Sequence, residues 1–133
     1  MSKLVILDNR FAIVWYYEEQ KIVHHQFKTY VNGAPFREVL LAGCELFEKH
    51  HAVKWLSDDR EAKITPEDLR WCTLQWRERV LAAGWKYWAL VLPEKFSGKV
   101  SMMVSLEALS SRGVVTETFT DPQEAFDWLE ERT

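Results

Sequence analysis

The sequence lacks long hydrophobic runs and blocks of basic residues. No segment of the 133-residue chain approaches the ~20 consecutive apolar residues that cross a bilayer, so we expect no membrane span. The formal net charge is −3, and no run of Lys or Arg exceeds two residues. Nucleic-acid affinity depends mainly on neutralising phosphates, and membrane-surface binding depends on basic clusters. This charge balance therefore argues against both kinds of partner.

Cysteine is scarce, and the start of the chain does not resemble a secretory signal. The two cysteines, Cys44 and Cys72, fall on the apolar faces of predicted helices, which indicates buried, reduced thiols rather than a disulfide. Met1-Ser-Lys leads into a short apolar run, Leu4-Val-Ile-Leu7, that ends at Asp8. Because this run is too short for a signal peptide, we expect a cytoplasmic protein.

Familiar catalytic and metal-binding motifs are also missing. The sequence contains no Gly-rich phosphate loop, no Gly-x-Ser-x-Gly elbow and no Cys or His pairs at metal-ligand spacing. His24 and His25 are adjacent on a predicted strand and point to opposite faces, and His50 and His51 lie about 100° apart at a helix end. We therefore expect surface or helix-end histidines, no metal, no cofactor and no catalytic residue.

The sequence does contain a regular alternation of strand and helix signals. Runs of β-branched and aromatic residues end at polar breaks, and two helices begin at a capping residue followed by proline. In the third predicted helix, Met103, Leu106 and Leu109 are expected to face the core. The predicted strands are 4–7, 11–17, 22–31, 52–56, 85–92 and 114–119. Three of the predicted helices begin after caps at Asn32, Thr65 and Asp121, and the remaining one spans about 98–112.

This order predicts one α/β domain over residues 1–133. An antiparallel hairpin near the start belongs to a single mixed β-sheet, and the later alternation of helices and strands makes the rest of that sheet parallel.

Four stretches carry a resemblance to a known family: Lys54-Trp-Leu-Ser-Asp-Asp-Arg60, Thr65-Pro-Glu-Asp68 with Trp71 and Trp76, Ala82-Ala-Gly-Trp-Lys-Tyr-Trp-Ala89, and Ala125-Phe-Asp-Trp-Leu129. Together with the element order, they resemble the SpoIIAA-like branch of the STAS superfamily, also described as STAS/SEC14-like, a group that includes many small bacterial proteins. The resemblance covers nearly the whole chain. It implies a STAS-like fold and a non-enzymatic regulatory or protein-binding module, acting through a protein partner or as a homodimer.

The resemblance also implies two kinds of site. Anti-sigma factor antagonists of this superfamily are switched by phosphorylation of a Ser or Thr after the central strand, normally in an Asp-Ser-Ser-Gly-like stretch. This sequence lacks that stretch, and its candidate phosphoacceptors are Ser57 and Thr65. SEC14-like relatives imply instead a carrier or sensor of a small apolar ligand.

The charged cluster Ser57-Asp58-Asp59-Arg60 is the main candidate site. It follows a predicted buried strand, and ligands of open α/β sheets bind outside the carboxyl ends of strands. The structural interpretation is that Asp58 or Asp59 pairs with Arg60 and shapes the loop. The alternatives are a ligand or partner surface and, less favoured, an enzyme using Asp58, Asp59 and Arg60. Two adjacent carboxylates supply too few ligands for a tight metal site.

The seven tryptophans allow either a dense core or an exposed binding surface. We expect most of them to build the core, because Trp is largely buried in folded domains. Trp71 lies near the edge of the helix face that carries Trp76, so we expect it to be partly exposed and include it in the candidate surface.

Overall fold

The structure, a computed structural model, describes residues 3–93 and 96–133. Met1 and Ser2, which open the stretch used to argue against a signal peptide, lie outside the described residues. The strands are β1 (Lys3–Asp8), β2 (Ala12–Tyr17), β3 (Ile22–Phe27), β4 (Lys54–Asp58), β5 (Tyr87–Val91) and β6 (Val115–Phe119). The helices are α1 (Ala34–His50), α2 (Pro66–Trp71, continued by a π-helical turn at Cys72–Trp76 and by Arg77–Ala82), α3 (Phe96–Ser110) and α4 (Pro122–Glu130).

The six strands lie in the sheet in sequence order. The pairs β1–β2 and β2–β3 are antiparallel, and β3, β4, β5 and β6 pair in parallel, which confirms the predicted α/β fold with one mixed sheet. Parallel crossovers are right-handed, and each one here moves in the same direction across the sheet. The helices α1, α2 and α3 therefore pack on one face, and α4 packs on the opposite face. No helix in the described ranges is long and apolar enough to cross a membrane.

Four of the seven tryptophans form the centre of the core between the sheet and α1–α3. Trp55 is fully buried, and its ring centroid lies 5.0 Å from that of Trp76 and 5.9 Å from that of Trp85. Trp88 extends the cluster, with its centroid 5.3 Å from that of Trp85. The expectation that most tryptophans build the core is therefore confirmed.

The predicted helix starts at Thr65 and Asp121 are confirmed. Thr65 Oγ1 accepts a hydrogen bond from the Asp68 backbone N–H at 3.2 Å, and Asp121 Oδ2 accepts one from the Glu124 N–H at 3.2 Å. Both caps are followed by a proline that occupies the first turn. These local signals act within a few residues, so the sequence suffices to locate them.

Two predicted details around β3 and α1 were wrong. The third strand ends at Phe27 rather than residue 31, because its partner β4 ends at Asp58, opposite Gln26. The cap of α1 is Gly33, with φ 69°, rather than Asn32. The side chain of Asn32 donates instead to Tyr30 Oη at 3.1 Å.

One of the three residues predicted to face the core from α3 was also wrong. Met102 is buried at 4% exposure, whereas Met103 is 52% exposed. Met102, Leu106 and Leu109 have the i, i+4, i+7 spacing that keeps side chains on one helix face. The predicted Leu106 and Leu109 are both buried.

Candidate functional site

The predicted charged cluster lies at the carboxyl end of β4 but is not a surface cluster. Ser57 and Asp58 are the last two residues of β4, and Asp59 follows; their exposures are 2%, 2% and 5%. Successive strand residues point to opposite sides of a sheet. Ser57 accordingly faces α1–α3, Asp58 faces the side of α4, and only the partly exposed Arg60 reaches solvent.

Asp58 and Arg60 form a bidentate ion pair. Arg60 Nε lies 2.9 Å from Asp58 Oδ1, and Arg60 Nη2 lies 2.8 Å from Asp58 Oδ2. The Asp58 side chain is 2% exposed and the Arg60 side chain 38% exposed, so the pair anchors the loop after β4 to the sheet. This geometry agrees with the structural interpretation of the cluster, because both carboxylate oxygens are engaged within the chain.

Asp59 takes part in a different, fully buried network. His25 Nε2 lies 2.7 Å from Asp59 Oδ1, and His25 Nδ1 accepts the indole N–H of Trp55 at 2.9 Å. Because an indole nitrogen can only donate, Nδ1 carries no proton, and the single ring proton resides on Nε2 and is donated to Asp59. His25 is therefore neutral, and the pair with Asp59 is a charge-assisted hydrogen bond rather than an ion pair.

The expectation of surface or helix-end histidines was wrong for His25, which is 2% exposed. The two adjacent histidines of β3 do point to opposite faces, as the strand period requires. What the sequence could not show is that the register of β3 on β4 places His25 beside Ser57 and next to the indole of Trp55.

A cavity of about 50 Å³ lies between the sheet and the helices α1, α2 and α3. Ser57 and Asp59 line it at the carboxyl end of the sheet, and Ser57 Oγ accepts the Trp88 indole N–H at 2.8 Å. Most of the lining is apolar, and a few polar groups converge on it. The lining residues are His25, Phe27, Phe36, Leu40, Ser57, Asp59, Ile64, Leu69, Cys72, Thr73, Trp76, Arg77, Trp88, Met102, Ser105 and Leu109.

The π-helical turn of α2 forms one wall of this cavity. Within it, the Arg77 backbone N–H bonds to the Cys72 carbonyl, five residues back, so the turn is wider than an α-helical turn. Cys72, Thr73, Trp76 and Arg77 all reach the cavity as a result. Sequence reasoning, which assumed an uninterrupted helical period, missed Thr73 and Arg77.

The two remaining candidate residues, Thr65 and Trp71, do not line the cavity. Thr65 caps α2, and its hydroxyl oxygen is already an acceptor there. Trp71 is half-buried, as expected, and the Arg37 guanidinium lies 5.3 Å from its ring centroid. The structure therefore brings Ser57 and Asp59 together at one site and leaves Asp58, Arg60, Thr65 and Trp71 outside it.

Both thiols are unsuited to nucleophilic chemistry at neutral pH. Burial raises the pKa of the Cys72 thiol to about 12 and that of the Cys44 thiol to about 11. Because the thiolate is the reactive form, both groups stay protonated. Within the described residues, no three His, Cys, Asp or Glu side chains are grouped as a metal site would require.

The fold and the site define an α/β protein with a small, mainly apolar cavity at the carboxyl end of its central strands. No family model, no curated protein and no solved structure matches the chain. The resemblance to STAS proteins therefore rests on the sequence motifs alone and stays a prediction.

Proposed function

We propose that this chain is a non-enzymatic, STAS-like binding module that holds a small, largely apolar molecule in the cavity beside His25 and Asp59. The observation that carries the proposal is the cavity itself: a mainly apolar space with a few polar groups, at the edge of the sheet where α/β proteins bind ligands. The buried predicted residues Ser57 and Asp59 contribute to it as lining groups rather than as an exposed docking surface.

The polar groups of His25, Ser57 and Asp59 at the cavity already take part in hydrogen bonds within the chain, which favours a binding function over catalysis. A general base needs a ring nitrogen free to accept the proton of a nucleophile. In His25, Nδ1 already accepts from Trp55 and Nε2 donates to Asp59, so neither nitrogen can activate Ser57. The protonated Cys72 thiol offers no alternative nucleophile.

The volume of the cavity limits the ligand. A water molecule needs roughly 10–15 Å³ on this scale, so 50 Å³ corresponds to about three to five non-hydrogen atoms. A lipid chain would require α2 and α3 to separate from the sheet, so among the apolar ligands that the SEC14 resemblance implies we propose a short molecule rather than a lipid.

Native mass spectrometry of the protein purified from its own host tests this proposal. We expect a bound mass of that small size. Leu69→Phe, which adds a ring at the cavity wall, should abolish it, whereas Leu74→Phe, at a 66% exposed position of the same helix, should retain it. A bare wild-type mass, or an adduct of lipid size, would contradict the proposal.

A second candidate function, association of two copies, is favoured by the edge strand β1. Leu4, Val5 and Ile6 are 43%, 58% and 41% exposed on a strand with one unpaired edge. A register shift between Val5 and Leu7 places Lys3 and Asp8 on the same face, opposite Tyr17 and Ile13 of β2. Antiparallel pairing of β1 with a second β1 can therefore bring Lys3 opposite Asp8 and join the two sheets.

The same spectra test this second candidate. A homodimer mass at micromolar concentration is expected if β1 pairs with itself, and Val5→Glu should then shift the protein to the monomer. A wild-type monomer at that concentration would contradict the dimer without bearing on the cavity.

A further inference from the structure

Arg77 lines the cavity and has one buried side-chain N–H group without an acceptor in the part of the chain that the structure describes. The residue follows the π-helical turn of α2, and this group is its Nε–H. A buried guanidinium N–H without an acceptor costs free energy, so a ligand oxygen placed there would gain a charge-assisted hydrogen bond.

The charges already present at the cavity indicate what kind of oxygen fits. Arg77 contributes one positive charge, Asp59 contributes one negative charge, and His25 is neutral. A ligand carboxylate would bring a second negative charge into this small space beside Asp59, and burial of an uncompensated charge is costly. A neutral carbonyl oxygen accepts the Arg77 hydrogen bond without that cost.

We infer that the ligand is a short apolar molecule with one neutral carbonyl oxygen, of the ketone or amide class, and that Arg77 Nε–H donates to that oxygen. This inference rests on the proposed function. It adds the chemical class of the ligand and assigns Arg77 as the residue that determines specificity. The apolar remainder of the molecule would contact Phe36, Leu40 and Met102, which line the same cavity.

Three probe molecules of nearly the same shape separate the contributions of a carbonyl oxygen, an apolar group and a negative charge to binding. In 2-butanone, 2-methyl-1-butene and propionate, a carbonyl oxygen, a methylene group and a carboxylate occupy equivalent positions, and each molecule has about the size that the cavity admits. Binding is measured by titration while the methyl signals of Met102 and Leu109 are followed by NMR, with xenon as a wholly apolar reference probe.

Arg77→Met should weaken 2-butanone binding about tenfold or more and change 2-methyl-1-butene binding by less than about twofold, the size of effect expected for one hydrogen bond to a charged donor. Arg77→Lys keeps the charge but lacks Nε, so it should also weaken binding of 2-butanone. This second variant tests the role of Nε even if Arg77→Met is unstable. Arg70→Met, an exposed arginine of the same helix, is the matched control.

The results of this experiment distinguish a failure of the role assigned to Arg77 from a failure of the proposed function on which that role rests. If xenon and all three probes leave the methyl signals unchanged, the proposed function fails. If the probes bind but the ratio of ketone to alkene affinity is the same in wild type and Arg77→Met, the role of Arg77 is overturned. Tighter binding of propionate than of 2-butanone would contradict the neutral carbonyl and indicate that the cavity prefers an anionic ligand.

Discussion

At the scale of single residues, the buried indole N–H groups determine which polar residues enter the core. Trp55 donates to His25, Trp88 to Ser57 and Trp76 to the backbone carbonyl of Leu40. A buried donor without an acceptor is costly, so each large apolar ring requires an acceptor beside it. The polar lining of the cavity is thus partly a consequence of the tryptophan core.

Gly43 of α1 provides a test of how rigid that core is. A Cβ at this position would lie 2.3 Å from Cη2 and 2.6 Å from Cζ2 of Trp55, whose indole is fixed by the hydrogen bond to His25. Gly43→Ala gains about 1 kcal/mol of helix propensity but forces a clash that costs about 1–3 kcal/mol or more in a packed core. Because both contacts are far below 3 Å and Trp55 is fully buried, we place the clash at about 2–3 kcal/mol and expect net destabilisation by about 1–2 kcal/mol in urea unfolding.

A double-mutant cycle supplies the control for this prediction. In a Trp55→Phe background the shorter ring leaves room, so Gly43→Ala should cost less there than in the wild type. A Gly43→Ala protein as stable as the wild type would show that the indole can move aside.

The sequence predicted that most tryptophans are buried but not which groups accept their indole N–H bonds. Trp55 and His25 are 30 positions apart, and only the pairing of β3 with β4 brings them together. The Asp58–Arg60 pair, by contrast, spans two positions and was among the predicted alternatives. Local pairs follow from sequence, whereas pairs across strands depend on a register that the sequence does not display.

At the scale of elements, Asp68 joins the starts of two helices. Its carboxylate accepts the Gly33 backbone N–H at 3.0 Å and Arg37 Nε at 3.2 Å, and the residue is 1% exposed. The backbone N–H of Asp68 donates to the Thr65 cap at 3.2 Å. The structure shows that its side chain holds α2 against the start of α1, where Gly33 has no side-chain cap.

Asp68→Ala should therefore destabilise the whole protein. It leaves the partly buried Gly33 N–H and the half-buried Arg37 guanidinium without their acceptor, and we expect a loss of about 2–3 kcal/mol in the free energy of unfolding. Glu67→Ala, at an exposed position of the same helical turn, is the control and should change stability by less than about 0.5 kcal/mol. Equal effects of the two substitutions would refute the linking role of Asp68.

The π-helical turn marks the limit of element-scale prediction. A periodic apolar pattern over residues 66–83 predicts one helix, and one helix is present, but the widened turn at Cys72–Trp76 changes which side chains reach the cavity. The sequence predicts a regular helical period and carries no recognised signal for the widened turn, so Thr73 and Arg77 could not be assigned from it.

At the scale of the whole molecule, the two faces of the sheet are covered unequally. Three helices cover one face, and on the other face the short α4 packs on β4, β5 and β6. This asymmetry follows from the order of strands and right-handed crossovers, and the fold class was predictable for the same reason. His24 lies on the α4 side, where its ring packs between Trp15 and Tyr17.

His24 makes the stability of the molecule depend on pH. Burial lowers the pKa of His24 from 6.5 to about 3, and its Nε2 has no partner within the described residues. Below pH 6.5 the unfolded chain binds a proton that the folded protein does not, so stability rises with pH between about 3 and 6.5. Between pH 7 and pH 4 this group alone should lower the free energy of unfolding by about 3 kcal/mol.

Carboxylates also titrate in this range, so wild-type stability alone does not isolate His24. The free energy of unfolding is therefore measured in urea at pH 7 and pH 4 for the wild type and for variants, and the contribution of His24 is the difference between their pH-dependent losses. His24→Phe keeps an aromatic ring between Trp15 and Tyr17 but cannot bind a proton, so it should lose markedly less stability than the wild type on acidification. His50→Phe, at an exposed histidine, should follow the wild type. Parallel pH profiles for wild type and His24→Phe would mean that His24 is protonated in the folded protein, and that the face covered by α4 admits water at β3.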